Sequence, residues 1–152
     1  MLIHWLWLAH RPGLSDRMKA VLLQHFQDPE DIYFADKEAF SHIEGLSPEN
    51  LEALQDKGLT PAEQIMDACQ QENLHILTCR DAAYPGALKN IPDPPLVLYY
   101  KGQLPSLDSS PVIGVVGTRK ASAYGMTSAK RLGYQIGKCG GVVVSGMAYG
   151  ID

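Results

Sequence analysis

Two hydrophobic patterns divide the chain. Over roughly the first seventy residues, apolar positions recur at spacings of three and four, which is typical of short amphipathic helices. One such face comprises Met18, Val21, Leu22 and Phe26. Beyond His75 the pattern changes to short continuous apolar runs separated by glycine and proline, which is typical of strands. The chain is therefore predicted to begin with helices and to continue as an α/β structure.

Helix-start signals support the first half of this prediction. Ser47-Pro48-Glu49 combines a capping hydroxyl, a proline in the first turn and an acid near the positive end of the helix dipole. Thr60-Pro61-Ala62-Glu63 has the form of a capping box. Residues predicted to face inward are Trp5, Trp7, Leu51, Leu54, Ile65, Met66 and Cys69.

A short motif occurs twice in this helical part. Pro12-Gly13-Leu14-Ser15 and Glu44-Gly45-Leu46-Ser47 each precede a predicted helix. The arrangement is similar to the helix-hairpin-helix repeat, whose backbone amides can face a nucleic-acid phosphate. The simpler interpretation, a turn followed by a helix cap, is favoured, because the surrounding charge is acidic.

The middle of the chain is predicted to hold two short strands. His75–Thr78 is the first, and 96–100 is the second, after a proline-rich stretch at 91–95 that favours extended backbone. We therefore divide the chain by prediction into a helical domain, a connector with short strands, and the start of an α/β domain, with limits 1–72, 73–110 and 111–152.

The last forty residues follow a strand–loop–helix–strand–loop pattern. The apolar run 112–116 precedes the loop 117–122, the segment 124–139 has helical spacing, and a second run at 142–145 precedes another glycine-containing loop. This is the opening of a doubly wound parallel sheet, in which ligands bind beyond the carboxyl ends of the strands. Neighbouring strands would place both loops side by side.

These two loops form a candidate anion site. Glycine permits close backbone approach, helix amides attract anions, and arginine matches the geometry of phosphate oxygens. The candidate phosphate-binding residues are Gly117, Thr118, Arg119, Lys120, Ser145, Gly146 and Gly150. Neither the Walker loop nor the dinucleotide fingerprint is present, so no cofactor is predicted. The alternative is that the glycines only turn the chain after each strand.

Charge and composition narrow the function classes. Residues 1–110 carry eight basic and sixteen acidic side chains, whereas 111–152 carry five basic and one acidic. An apolar fraction of 45% argues against disorder, and no apolar run is long enough to cross a membrane. Three cysteines and five histidines lack metal-ligand spacing, so reduced thiols in a cytoplasm and no metal site are expected.

Several separated segments resemble one family. They are Tyr84-Pro85, the run from Asp93 to Tyr99, Lys101-Gly102, the run from Val115 to Ser122 with Tyr124-Gly125, and the run from Ser145 to Asp152. In this order and spacing they resemble the DNA-processing protein A (DprA, or Smf) family. The resemblance is sharp over 84–152 and looser over 1–72, where such proteins often carry a sterile-alpha-motif-like (SAM-like) or helix-hairpin-helix domain.

The resemblance implies a bacterial cytoplasmic protein that binds single-stranded DNA, protects incoming DNA during natural transformation and helps to load the RecA recombinase. It implies a homodimer built on an extended Rossmann-like domain, without catalysis. By resemblance, Gly117-Thr118-Arg119 contributes to the phosphate pocket and Ser145–Asp152 forms its rim. No catalytic residue is predicted, and Asp152 is expected to hold a glycine loop or to cap a following helix.

The chain stops directly after the second loop, so the Rossmann-like sheet is expected to be a truncated start with poorly covered apolar faces.

Two other functions stay open. A nucleotide-binding or nucleoside-monophosphate-cleaving protein would use the same loops, but its Pro-Gly-Gly-x-Gly-Thr run does not occur. Alternatively, the acidic residues 1–72 could dock a protein partner.

Overall fold

The computed structural model describes all residues from Met1 to Asp152, which divide into two compact units, Met1–Leu104 and Pro105–Asp152. The first unit contains helices α1 Leu2–Ala9, α2 Asp16–His25, α3 Pro29–Phe34, α4 Pro48–Gln55, α5 Thr60–Gln71 and α6 Gly86–Lys89, a 3-10 turn Lys37–Phe40, and strands β1 His75–Thr78 and β2 Val97–Tyr100. The second contains β3 Val112–Gly114, α7 Ala123–Lys138 and β4 Val142–Val144. Helices and small sheets occur together, as the predicted α/β class requires.

Helix α1 forms the centre of the first unit. Its residues Leu6 and Leu8 are fully buried, and Trp5 and Trp7 are almost so. The Trp7 indole donates a hydrogen bond of 3.1 Å to the Asp56 carbonyl, which satisfies its polar atom within the core. The prediction that both tryptophans pack in the core is confirmed. Helix α1 contacts α2, α3, α5 and β2.

The repeated Gly-Leu-Ser motif forms two similar turns. Gly13 and Gly45 both adopt left-handed backbone, with φ of +81° and +85°. Each following serine caps a helix: the hydroxyl of Ser15 accepts from the Met18 amide, and that of Ser47 accepts from the Asn50 amide. The predicted helix starts at Ser15 and Ser47 are confirmed. A third start, the capping box that Asp28 forms with Asp31 before Pro29, is missing from the sequence prediction, although it has the same type of signal.

The predicted capping box at Thr60 is wrong. Leu59 already has helical backbone dihedrals and occupies the N-cap position, without a side-chain hydrogen bond. Thr60 is therefore the first helical residue rather than the cap, and its hydroxyl makes no capping contact. Helix α5 buries Ala62 and Cys69 and half-buries Ile65, whereas Met66, predicted to face inward, is 37% exposed.

The two strands of the middle segment pair with each other. β1 and β2 are antiparallel, with His75 opposite Tyr100 and Thr78 opposite Val97. β1 contacts α5 and β2 contacts α1, so this sheet packs with the helices inside the first unit. The compact units thus meet at 104/105. The limits at 72/73 and 110/111 stay predictions about the domains of the protein.

The second unit is a parallel pair of strands with one helix. β3 and β4 pair in the register Val112 to Val142 and Gly114 to Val144, and α7 connects them and contacts β4. Gly140, with φ of +77°, follows the end of α7, where a left-handed glycine commonly ends a helix. Among the apolar side chains of this unit, Ile136 alone is buried. The expectation of poorly covered strand faces is confirmed.

Four of the five valines and isoleucines of β3 and β4 are between 41% and 46% exposed, although the sequence pattern indicates cover on both faces: Val112, Ile113, Val143 and Val144. Leu132 on α7 and Cys139 directly after it are also exposed. The reason is geometric, because two strands and one helix cannot enclose a two-sided sheet. In neither unit is there a helix long and apolar enough to span a membrane.

Candidate functional site

Parallel pairing brings the two glycine-containing loops to the same end of the strands. We call residues 115–122 loop A and residues 145–152 loop B. The Val115 amide donates to the Val144 carbonyl at 2.9 Å, which extends the ladder by one bond to the first residue of loop A. The prediction that the loops lie side by side at the carboxyl ends is therefore confirmed, and this is the position at which open α/β sheets bind ligands.

The loops are held together by direct contact between their backbones. Gly150 has φ of +106°, and a Cβ atom added there would lie 2.1 Å from the Thr118 carbonyl oxygen and 2.9 Å from the Arg119 Cα. The Ile151 amide donates to the same Thr118 oxygen at 3.3 Å. Only glycine combines this dihedral with this approach. The backbones of loops A and B are therefore fixed relative to each other at Arg119.

Asp152 provides a second link between the loops. Its Oδ1 atom accepts a hydrogen bond of 3.0 Å from the Gly117 amide. The Oδ2 atom lies 3.1 Å from where a Gly146 Cβ would stand, and a Gly117 Cβ would overlap the Ile151 side chain at 2.5 Å. The expectation that Asp152 holds a glycine loop is met. The Gly117 amide is thus already occupied, so Gly117 contributes close packing rather than a free donor.

The cations of the second unit have no carboxylate partners. Arg119 and Lys120 are exposed in loop A. Every ion pair of the molecule lies in the first unit: Met1–Glu30, His4–Glu30, Arg11–Asp56, Lys19–Asp16 and Lys101–Glu72. Residues 105–152 hold five basic and two acidic side chains. Unpaired cations beside a helix start favour an anionic ligand.

Helix α7 begins where loop A ends. The Ser122 hydroxyl accepts a hydrogen bond of 3.1 Å from the Gly125 amide and so caps the helix. The amides of Ala123 and Tyr124, at the first two helical positions, have no acceptor within the chain. Two amide donors therefore lie a few residues from Arg119. Lys120 donates its own amide to the Thr118 hydroxyl at 3.2 Å, which shapes the loop between them.

The structure thus brings most of the predicted site residues together, and these residues differ in the contacts they make. Gly117, Gly146 and Gly150 allow the loops to approach, Thr118 accepts hydrogen bonds, and Arg119 and Lys120 present charge. The Ser145 hydroxyl accepts from the Met147 amide at 3.3 Å and is occupied inside loop B. Their role in phosphate binding stays a prediction.

Two features of this region are not predicted from the sequence. Ile151 fills the space next to Gly117 and Gly125, a tertiary contact that no local signal reveals. Tyr124 and Tyr149 lie outside the packing, at 83% and 92% exposure. Met147, with φ of +54°, is 92% exposed as well.

No group of histidine, cysteine or acidic side chains has the arrangement of a metal site. A cavity of about 290 Å³ lies against loop B and is lined mainly by apolar residues of β4, α7 and the two loops. Lys130, Ser145 and Asp152 are its polar lining residues, whereas Arg119 and Lys120 lie outside it.

Residues 75–152 match a family model described as DNA recombination-mediator protein A. The match includes both loops and leaves out the helices α1 to α5. It therefore coincides with the part of the chain in which the strands, the paired loops and the unpaired cations occur.

Curated relatives extend the similarity. The chain is 34% identical over 154 residues to Protein Smf of Synechocystis sp., an alignment that spans 98% of this chain and 38% of the relative. It is 38% identical over 89 residues to the DNA processing protein DprA of Bacillus subtilis, spanning 59% of this chain and 30% of the relative. It is 42% identical over 72 residues to DprA of Streptococcus pneumoniae, spanning 47% of this chain and 25% of that protein. The chain thus spans less than two fifths of the length of these relatives.

Proposed function

We propose that this chain, which belongs to the DNA recombination-mediator protein A family, supplies part of the phosphate-binding surface with which a longer protein holds single-stranded DNA. The observation that carries the proposal is the fixed contact between Gly150 of loop B and Thr118-Arg119 of loop A, beside two exposed cations without carboxylate partners. Such a site attracts phosphate through charge and backbone amides.

Binding of this kind is sequence-tolerant. Phosphate contacts position a nucleic acid without reading its bases, and their affinity falls steeply with salt because counterions are released. Arg119, Lys120 and the open amides of Ala123 and Tyr124 are donors suited to phosphate oxygens. The preference for single strands over duplexes rests on the family resemblance of Gly117-Thr118-Arg119.

The role proposed for the whole protein follows from the family. Its description names a recombination mediator rather than an enzyme, and the named relatives are bacterial. We propose a non-catalytic cytoplasmic protein, active as a homodimer, that protects incoming DNA and assists RecA loading. The proposed Rossmann-like domain is supported by the parallel β3–β4 pair joined through α7.

The helical part is proposed to be the SAM-like or helix-hairpin-helix domain of such proteins. The two glycine turns at Gly13 and Gly45 support a repeated helix-turn unit. At both turns the serine hydroxyl occupies a helix amide, and the Asn50 side chain donates to the Gly13 carbonyl at 2.6 Å. These turns therefore serve packing and capping, and the phosphate contacts are assigned to the second unit.

The decisive experiment removes the unpaired arginine. In the full-length protein, Arg119→Ala should weaken binding to oligonucleotides of every sequence and lower the slope of log affinity against log salt by about 0.7, the value for one phosphate on a single strand. Arg17→Ala is the matched control, because Arg17 is an exposed arginine on α2 of the first unit. Fluorescence anisotropy across a salt series, with single-stranded and duplex DNA, measures both quantities.

An unchanged affinity and slope for Arg119→Ala would reject this site. Tighter binding of duplex than of single-stranded DNA would reject the preferred ligand. If a nucleoside monophosphate bound in calorimetry while oligonucleotides did not, the nucleotide-binding function would replace the proposed one.

A further inference from the structure

The tyrosines of the two units have contrasting environments. In the first unit, the Tyr33 hydroxyl donates to the Lys57 carbonyl and the Tyr84 hydroxyl to the Pro95 carbonyl, both at 2.8 Å. Tyr84 is only 1% exposed. In contrast, Tyr149 in loop B is 92% exposed, and its side chain makes no hydrogen bond or ring contact within its unit. Single exposed aromatic side chains are common on protein surfaces, so the position of Tyr149 beside loop A, rather than its exposure alone, carries the argument.

The position of Tyr149 relative to the cationic loop is fixed by the backbone. Gly150 lies against the Thr118 carbonyl and the Arg119 Cα, and the Ile151 amide bonds to Thr118. Since consecutive Cα atoms are about 3.8 Å apart, the Tyr149 Cα lies one residue from this contact. The backbone positions that carry the exposed Tyr149 ring and the exposed Arg119 guanidinium are therefore close together, although they are thirty residues apart in sequence.

Loop B also presents its residues outward in a defined conformation. Met147 adopts φ of +54°, a conformation that costs free energy in a non-glycine residue, and its amide donates to the Ser145 hydroxyl. On the other side of Tyr149, Gly150 is locked against loop A. The backbone is therefore held on both sides of an outward-facing tyrosine.

We infer that Tyr149 is a base-stacking residue for a single-stranded nucleic acid whose phosphate is held at Arg119. This inference rests on the proposed function and adds to it a contact with the bases. Aromatic rings beside a cationic track bind single strands by stacking on the bases, and they tolerate any sequence because every base has a π-face. A paired duplex keeps its bases stacked on each other, so the same tyrosine favours single strands.

The test compares two oligonucleotides of equal length in the full-length protein: an oligothymidylate and its abasic analogue, which keeps the phosphates and lacks the bases. Tyr149→Ala should weaken oligothymidylate binding by about 5- to 150-fold and leave abasic binding unchanged. Tyr149→Phe, which keeps the ring, should bind as the unaltered protein does. Tyr134→Ala is the matched control, because Tyr134 is 67% exposed on α7, in the same unit.

A spectroscopic readout tests stacking directly. The emission of a Tyr149→Trp variant should be quenched by the oligothymidylate and not by the abasic analogue. If Tyr149→Ala binds both oligonucleotides normally, or weakens both equally, the stacking inference is overturned. Arg119→Ala should weaken both, so failure of that variant to change binding identifies failure of the phosphate site rather than of the stacking contact. A thermal melt confirms that Tyr149→Ala, which removes no packing contact, remains folded.

Discussion

The two units differ in how their residues are packed. The first closes a core around α1, in which Leu6, Leu22 and Ile32 are fully buried. The second has Ile136 as its one buried apolar side chain and leaves most of its strand residues partly exposed. Its firm contacts are instead between backbones, where Gly150 meets Thr118 and Arg119. One region therefore depends on side-chain burial, and the other concentrates its close contacts at the loops.

Charge follows the same division. All ion pairs lie in the first unit, whereas the five basic side chains of the second unit have no carboxylate partner. Uncovered apolar area and unpaired charge are both typical of surfaces that bind something else. The two kinds of uncovered group differ in their chemistry. The partly exposed strand residues are apolar, whereas loop A carries the cations Arg119 and Lys120.

The largest effect should come from the core of the first unit. Leu6→Ala removes a side chain with no solvent exposure and should lower the free energy of unfolding by about 2–5 kcal/mol. Leu132→Ala, at a leucine that is 55% exposed on α7, should change it by less than about 0.5 kcal/mol. Denaturant titration of both variants measures the difference. Equal losses would contradict the contrast drawn between the two units.

A smaller effect is expected at the backbone contact of the second unit. Gly150→Ala should cost about 2–3 kcal/mol, because a Cβ atom there overlaps the Thr118 carbonyl at a φ of +106°. It should also weaken oligonucleotide binding by separating the loops. Gly140→Ala is the control, with a φ of +77° and open space around its Cβ.

The control variant should cost about 1 kcal/mol, from the backbone conformation alone, and should bind DNA normally. Thermal unfolding and anisotropy on the same samples separate stability from binding. If Gly150→Ala and Gly140→Ala behaved alike, close approach of the loops would not be the reason for glycine at 150.

Helix caps should give effects near 1 kcal/mol. Ser47→Ala removes the hydroxyl that accepts from the Asn50 amide and should destabilise the first unit by about 1 kcal/mol. Thr60→Ala should change stability by less than about 0.5 kcal/mol, because Thr60 is exposed and does not cap α5. Denaturation midpoints measured side by side distinguish the two. A comparable loss for Thr60→Ala would restore the capping box predicted from the sequence.

The remaining effect concerns pH. Burial raises the pKa of Tyr99 to about 12 from its ordinary value of 10, and its hydroxyl lies 2.7 Å from the His10 Nε2 atom. The folded state therefore keeps this proton longer than the unfolded state. Its contribution to stability is complete below pH 10 and is lost as the pH rises through about 12.

Denaturation midpoints measured between pH 9 and pH 12 should therefore fall less steeply for Tyr99→Phe than for the unaltered protein, since the variant has no phenol at position 99. Tyr100→Phe, on the same strand, is the control and should keep the steeper fall. Identical slopes for the unaltered protein and Tyr99→Phe would show that this phenol titrates alike in the folded and unfolded states.

Sequence signals predicted the secondary-structure elements well where these depend on interactions between residues close together in sequence. Ser15 and Ser47 cap helices because a serine hydroxyl reaches an amide three residues ahead, which sequence spacing alone determines. The Thr60 prediction fails because the start of α5 depends on the backbone of Leu59, which residue type does not fix. The antiparallel pairing of β1 with β2, and their packing in the first unit, join residues about twenty positions apart and leave no local signature.

The sequence by itself determined the helical and strand periodicities, the two glycine loops and the excess of positive charge near them. These depend on residue type and short-range spacing. Only the tertiary structure decided that Gly150 touches Arg119, that Asp152 occupies the Gly117 amide and that Tyr149 stays in solvent. The physical reason is that pairing β3 with β4 brings together backbone atoms that are thirty residues apart in sequence. Which amide donors, cations and aromatic rings keep no partner within the chain depends on these three-dimensional distances.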